Sequence, residues 1–120
     1  METGSRHATL HRVPDLPLTH HPLPAEQVRT GTPTAAILEL EDLGDCGVGV
    51  WEMTPGTATD VESEETFVVL SGSASVEFLD AEGAVECTLE LAPGDLVRLH
   101  AGQHTVWTVR ETLRKVYLSL

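Results

Sequence analysis

TFVVLSGSASVEFLD, residues 66–80, decides how this chain is read. Two short runs of β-branched and aliphatic residues, TFVVL and ASVEFLD, flank a Ser71-Gly72 pair, the pattern of two strands joined at a turn. The texture repeats in both directions. Upstream lie AAILEL (35–40) and GVGVWEM (47–53); downstream lie AVECTLEL (84–91), LVRLH (96–100), HTVWTV (104–109) and RKVYLSL (114–120). Turn signals fall at Gly44, Pro55-Gly56, Glu82-Gly83, Pro93-Gly94 and Ala101-Gly102. No stretch combines a helical period with caps. Eight strands at fairly even spacing predict an all-β sandwich or jelly roll, in which each sheet buries one face against the other.

The texture ends at residue 35. Residues 1–34 are rich in Pro, His and Thr, have neither a helical nor a strand period, and read as an extended N-terminal arm to a domain of residues 35–120. Leu10, Val13, Leu16, Leu18, Leu23 and Val28 in this arm stabilise only when buried. The arm is therefore expected to pack on its own barrel or cross to a neighbour, and a homodimer is expected.

With 120 residues the chain suits one core. Its net charge of -12, from 19 acidic against 7 basic side chains, repels phosphate backbones and anionic lipid, so neither nucleic acid nor a membrane surface is an expected partner. A cytoplasmic location is expected, since no basic, apolar leader or bilayer-length run is present. Cys46 and Cys87 lack C-x-x-C spacing and read as two free thiols.

Two spacings carry a family resemblance. Glu65, six residues and Gly72 match the second half of the first motif of the cupin superfamily, G-x5-H-x-H-x3 or x4-E-x6-G. Gly94, five residues, His100, Ala101 and Gly102 match the frame of the second, G-x5-P-x-G-x2-H-x3-N, with histidine at the proline position. Together with GVWEMTPG, VVLSG, PGD and the ending WTVRETLRKVYL, residues 35–120 resemble the small single-domain cupins grouped with ureidoglycine aminohydrolase and ethanolamine-utilization cupins. The resemblance implies a cupin-type double-stranded β-helix, that is, a jelly-roll barrel.

Metal-binding cupins hold an ion with two histidines and a glutamate from the first motif and a histidine from the second. Counting back from Glu65 places Thr59 and Val61, or Ala58 and Asp60, at the first two histidine positions. The second-motif position is Thr105, with His104 one residue earlier and thus on the opposite strand face unless a bulge re-aims it. The expected state has no metal cofactor. The alternative is a divalent Mn, Fe, Ni or Zn ion on Glu65, Asp60 and His104, donors suited to such ions.

By the same resemblance Glu65 points into the barrel, where a carboxyl needs a cation or hydrogen-bond donors. Strand alternation then turns Phe67 inward with Glu65, and Trp107 inward with Thr105. Trp51, Phe67, Thr105 and Trp107 are the candidate ligand-binding residues. On the last run, periodicity buries Val116, Leu118 and Leu120, whereas likeness to the family's ending turns Lys115 and Tyr117 inward to join Glu65 as catalytic candidates. Asp60, Glu62 and Glu64 otherwise read as a solvated turn. The expected function is binding of a small polar or cationic metabolite. The alternatives are a metal-dependent hydrolase of a small nitrogen-containing metabolite, resembling ureidoglycine aminohydrolase, and an accessory subunit.

Overall fold

Ser71-Gly72 bends a strand without reversing it. The computed structural model describes residues 2–4 and 7–120, as β1 (Glu2–Gly4), β2 (Thr9–His11), a 3-10 turn (Val13–Asp15), β3 (His21–Pro22), β4 (Val28–Thr30), β5 (Thr34–Leu43), β6 (Cys46–Met53), β7 (Gly56–Val61), β8 (Glu65–Leu79), β9 (Val85–Leu91), β10 (Leu96–Leu99) and β11 (His104–Ser119). TFVVL and ASVEFLD are therefore one strand, β8, and HTVWTV and RKVYLSL are another, β11. Gly72 makes the bend at φ +94, where an added Cβ would collide with the Thr112 carbonyl of β11. The partner bends with it, because the β8–β11 register shifts between Val109 and Lys115. The eight expected runs thus form six strands. A seventh barrel strand, β7, comes from GTATDV, whose polar composition conceals it.

All pairings are antiparallel, and β11 is the central strand. Its first half, His104–Val109, pairs with β7 and with the second half of β8, which also pairs with β9. Its second half, Leu113–Ser119, pairs with β6 and with the first half of β8, which also pairs with β10; β5 follows on β6. Because β8 and β11 run through both halves, the sheet curls into two facing layers. This is the expected all-β jelly-roll barrel. Its interior holds Met53, Phe67, Val69, Ala74, Val76, Leu99, Trp107, Val109 and Leu113, and a fully buried side chain such as Phe67 contributes roughly 1.5–3 kcal/mol.

The arm lies along its own barrel. Val28 pairs with Ala58 of β7, and His21 and Pro22 pair with Ala35 and Thr34 of β5. Arg114, buried on the outer face, donates from Nη1 to the carbonyls of Val13 (2.9 Å) and Pro14 (3.2 Å), and from Nη2 to Glu52 (3.0 Å). His20 meets Thr34 Oγ1 at 2.9 Å and Glu52 Oε2 at 3.2 Å, so this arm histidine is part of a half-buried network rather than free in solvent. Leu16 of the arm is buried as well.

The expectation that periodicity buries the aliphatic face of the last strand is overturned. Leu118 and Leu120 are exposed, while Lys115 and Tyr117 are buried. On the outer face Leu96, Val68, Val116, Val50 and Leu38 lie side by side across β10, β8, β11, β6 and β5.

Candidate functional site

One end of the barrel collects the polar groups. Glu65 opens β8, and Lys115 sits on the facing part of β11, where Trp51 of β6 and Val69 of β8 flank it in register. Lys115 Nζ donates to Glu65 Oε2 at 2.7 Å. The same nitrogen lies 4.2 Å from the ring centre of Phe67, 4.8 Å from that of Trp51 and 5.1 Å from that of Trp107. Carboxylate and aromatic faces together compensate an ammonium removed from water. The indole rings of Trp51 and Trp107, both candidate ligand-binding residues, already cage this lysine, their centroids 5.9 Å apart. Phe67 is fully buried in the core behind Lys115.

Glu62 corrects the reading of the acidic turn as solvated. It is 8% exposed, and its Oε2 accepts from Thr105 Oγ1 (2.5 Å) and Trp107 Nε1 (2.9 Å). Backbone bonds from Glu62 N to the Gln103 carbonyl and from Gly102 N to the Glu62 carbonyl hold it there. Thr105 is accordingly engaged by Glu62. Asp60, two residues earlier on the inward face of β7, stands at the mouth, one side open to solvent and the other against the cavity wall. Burial against its walls, followed by repulsion from Glu62, pushes its carboxyl above the ordinary value. Glu64 faces outward: its Oε1 accepts from the Ala101 backbone N–H at 2.9 Å, and Oε2 meets the Arg98 guanidinium. These bonds, the backbone one foremost, hold Glu64 below its ordinary value.

A cavity of about 130 Å³ lies among these groups, lined by Ile37, Trp51, Asp60, Glu62, Ser63, Glu65, Trp107, Lys115 and Tyr117. Burial, then the charges of Glu39 and Glu65, push the Tyr117 hydroxyl above its ordinary value, which keeps it a protonated donor. Tyr117 packs over Gly49, the partner residue on β6, where a Cβ would stand 2.5 Å from its hydroxyl oxygen.

The metal alternative does not fit these residues. Among the described residues no three His, Cys, Asp or Glu side chains gather as ligands. His104 pairs regularly with Val61 and Leu79, with no bulge at that point, and is exposed, while Thr105 takes the inward position. Asp60 and Glu65 line one cavity, with Glu65 bonded to Lys115, but His104 is not among its lining residues, so the three are not brought together.

Residues 40–117 match the EutQ-like cupin domain. The chain belongs to that family. This EutQ-like cupin is similar in structure to a putative ethanolamine utilization protein Q from Salmonella typhimurium (TM-score 0.71, 12% identity, covering 99% of this chain and 91% of that one). It is similar also to the EutQ protein of Clostridium difficile (TM-score 0.71, 17% identity, 99% and 92%). A Pseudomonas syringae protein of unknown function gives a TM-score of 0.70 at 22% identity, over 94% of this chain and 47% of that one. At such identities these likenesses concern the fold. Comparison with functionally curated proteins gives no match.

Sequence reasoning read Glu62 as solvated and passed over Ser63 and Ile37 of the cavity wall. A signal for Glu62 lay in the alternation of Ala58 and Asp60 on β7, which reaches Glu62 when carried one step past the strand's end.

Proposed function

We propose that this EutQ-like cupin binds a small organic cation, most simply a primary ammonium, in the cavity at the Glu65 end of the barrel. One observation carries the reading: three carboxyl groups, Asp60, Glu62 and Glu65, face a single ammonium, Lys115, and that ammonium is already paired with Glu65. Among the described residues neither Asp60 nor Glu62 forms an ion pair. A cation entering the cavity would meet two acids without a counter-cation, Glu62 buried and Asp60 at the mouth, and beside the buried one opposite charges attract more strongly than in water. The volume of about 130 Å³ approaches that of a cavity known to admit benzene, so a ligand of roughly six non-hydrogen atoms fits.

Titration calorimetry with methylammonium and with acetate tests this. Saturable binding of methylammonium that is lost in Glu62→Gln, with no binding of acetate, is the expected result. A preference for acetate, or methylammonium affinity indifferent to Glu62→Gln, would overturn it.

A second reading rests on the Glu65–Lys115 contact. A carboxylate and an ammonium 2.7 Å apart beside a protonated Tyr117 form a proton-handling set suited to hydrolysis of a small nitrogen-containing metabolite. Ammonia release from candidate substrates, abolished by Glu65→Gln, would favour it over simple binding.

A further inference from the structure

The barrel cavity does not end at the acids. A second chamber of about 70 Å³ adjoins it, and Trp51, Asp60 and Trp107 line both. Beyond those three residues the character changes, because the smaller chamber carries no further charged side chain: Met53, Ala58 and Thr59 of the barrel and Leu23 and Gln27 of the arm wall it. We infer that this annex is a subsite for an aliphatic substituent of the bound cation, so that the arm selects short-chain alkylammonium ligands by length. The inference rests on the reading of the main cavity as an ammonium site.

Asp60 stands at the junction. An ammonium beside it has Glu62 on one side and, on the other, the annex with Leu23, Met53 and Ala58 on its walls, which orients a chain attached to the nitrogen. Room for the chain is short. At roughly 30 Å³ for a water-sized group, the annex takes about two or three carbon atoms.

The arm wall is held by backbone bonds as well as by side-chain packing. The Gln27 carbonyl accepts from Thr59 N at 2.8 Å, Val28 pairs with Ala58, and Leu23 N donates to the Pro33 carbonyl at 3.5 Å. Leu23 also packs against the barrel core. A wall fixed in this way is preorganised, so a chain that fits gains from burial without first ordering the arm.

The test is calorimetric titration of the full chain with methyl-, ethyl-, propyl-, butyl-, pentyl- and hexylammonium. The expected result is an affinity that rises about fourfold per added methylene, the equivalent of ~0.8 kcal/mol, and turns down near butylammonium. Leu23→Ala should move the optimum to a longer chain. Leu23→Trp should lower the ratio of butyl- to methylammonium affinity at least tenfold. If the tryptophan variant is not folded by circular dichroism, the alanine variant alone decides. A flat series with methylammonium still bound, or an optimum unmoved by Leu23→Ala, overturns the annex and leaves the ammonium site standing. Failure of every member, methylammonium included, overturns both.

Discussion

Lys115 and Glu65 form a contact of 2.7 Å between side chains that are 6% and 14% exposed. A pair removed this far from water is worth little against a well-packed apolar substitute, yet costs much to break from one side. Lys115→Met should destabilise the barrel by about 3–5 kcal/mol by leaving Glu65 buried without its cation. The double variant with Glu65→Leu should recover much of that loss. Urea denaturation measures both, and a single variant as stable as wild type would contradict the account.

Glu62 and Glu64 are two residues apart and should behave differently. Removing the Glu62 carboxyl leaves the Trp107 N–H and the Thr105 hydroxyl without their acceptor in a buried site, a loss of about 1–3 kcal/mol for Glu62→Ala. Glu64→Ala, on the outer surface, should cost less. Trp107 emission offers a second readout, because the Glu62 change alters the indole's hydrogen bond and the Glu64 change does not.

Gly72→Ala should destabilise more than Gly83→Ala. Both glycines have positive φ, +94 and +85, so each substitution meets backbone strain of about 1–3 kcal/mol. Only at Gly72 does a methyl group also run into the Thr112 carbonyl, whereas at Gly83 the space is open. Equal shifts in melting temperature would mean that the bend in β8 yields easily.

Two carboxyl groups should respond to pH with opposite sign. Burial alone would raise Glu52, but hydrogen bonds from Arg114 and His20, with their charges, outweigh it and hold the group below its ordinary 4.5. The stability it contributes is therefore complete above that value and is lost as pH falls through the lowered one. Glu52→Gln should flatten the acid limb of the stability curve, and protease should then cut the arm more readily at neutral pH. Asp60 is raised above 3.8, so its contribution is present below that value and is lost as pH rises through the raised one. Asp60→Asn should stabilise the protein at neutral pH and match wild type in strong acid. Unfolding measured across pH checks both signs.

Much of this was legible in the chain. The β-branched runs and Gly turns gave the strands, and the Glu65-to-Gly72 and Gly94-to-Gly102 spacings matched the family in which residues 40–117 fall. What escaped has identifiable causes. GTATDV carries too few apolar side chains to look like a strand, although β11 and β4 hold it on both edges. Glu62 escaped because Glu62–Glu64 is not extended strand, so parity resets there and both Glu62 and Glu65 reach the interior. Lys115 could not be placed by hydrophobicity, which argues for the opposite face. Its aromatic cage comes from β6, β8 and β11, and no local window contains all three.

The central position of β11 bears on how the chain is made. Three strands, β6, β7 and β8, each take one neighbour from β11, the last strand of the barrel in chain order. While the ribosome is still adding residues 104–119, those three carry unpaired edges, and the cage that will receive Lys115 lacks both the lysine and Trp107. Pairings of such long sequence separation form slowly. The barrel is thus expected to close only once β11 has been made, with the nascent chain depending on chaperones or on its own acidity to stay apart from its neighbours until then.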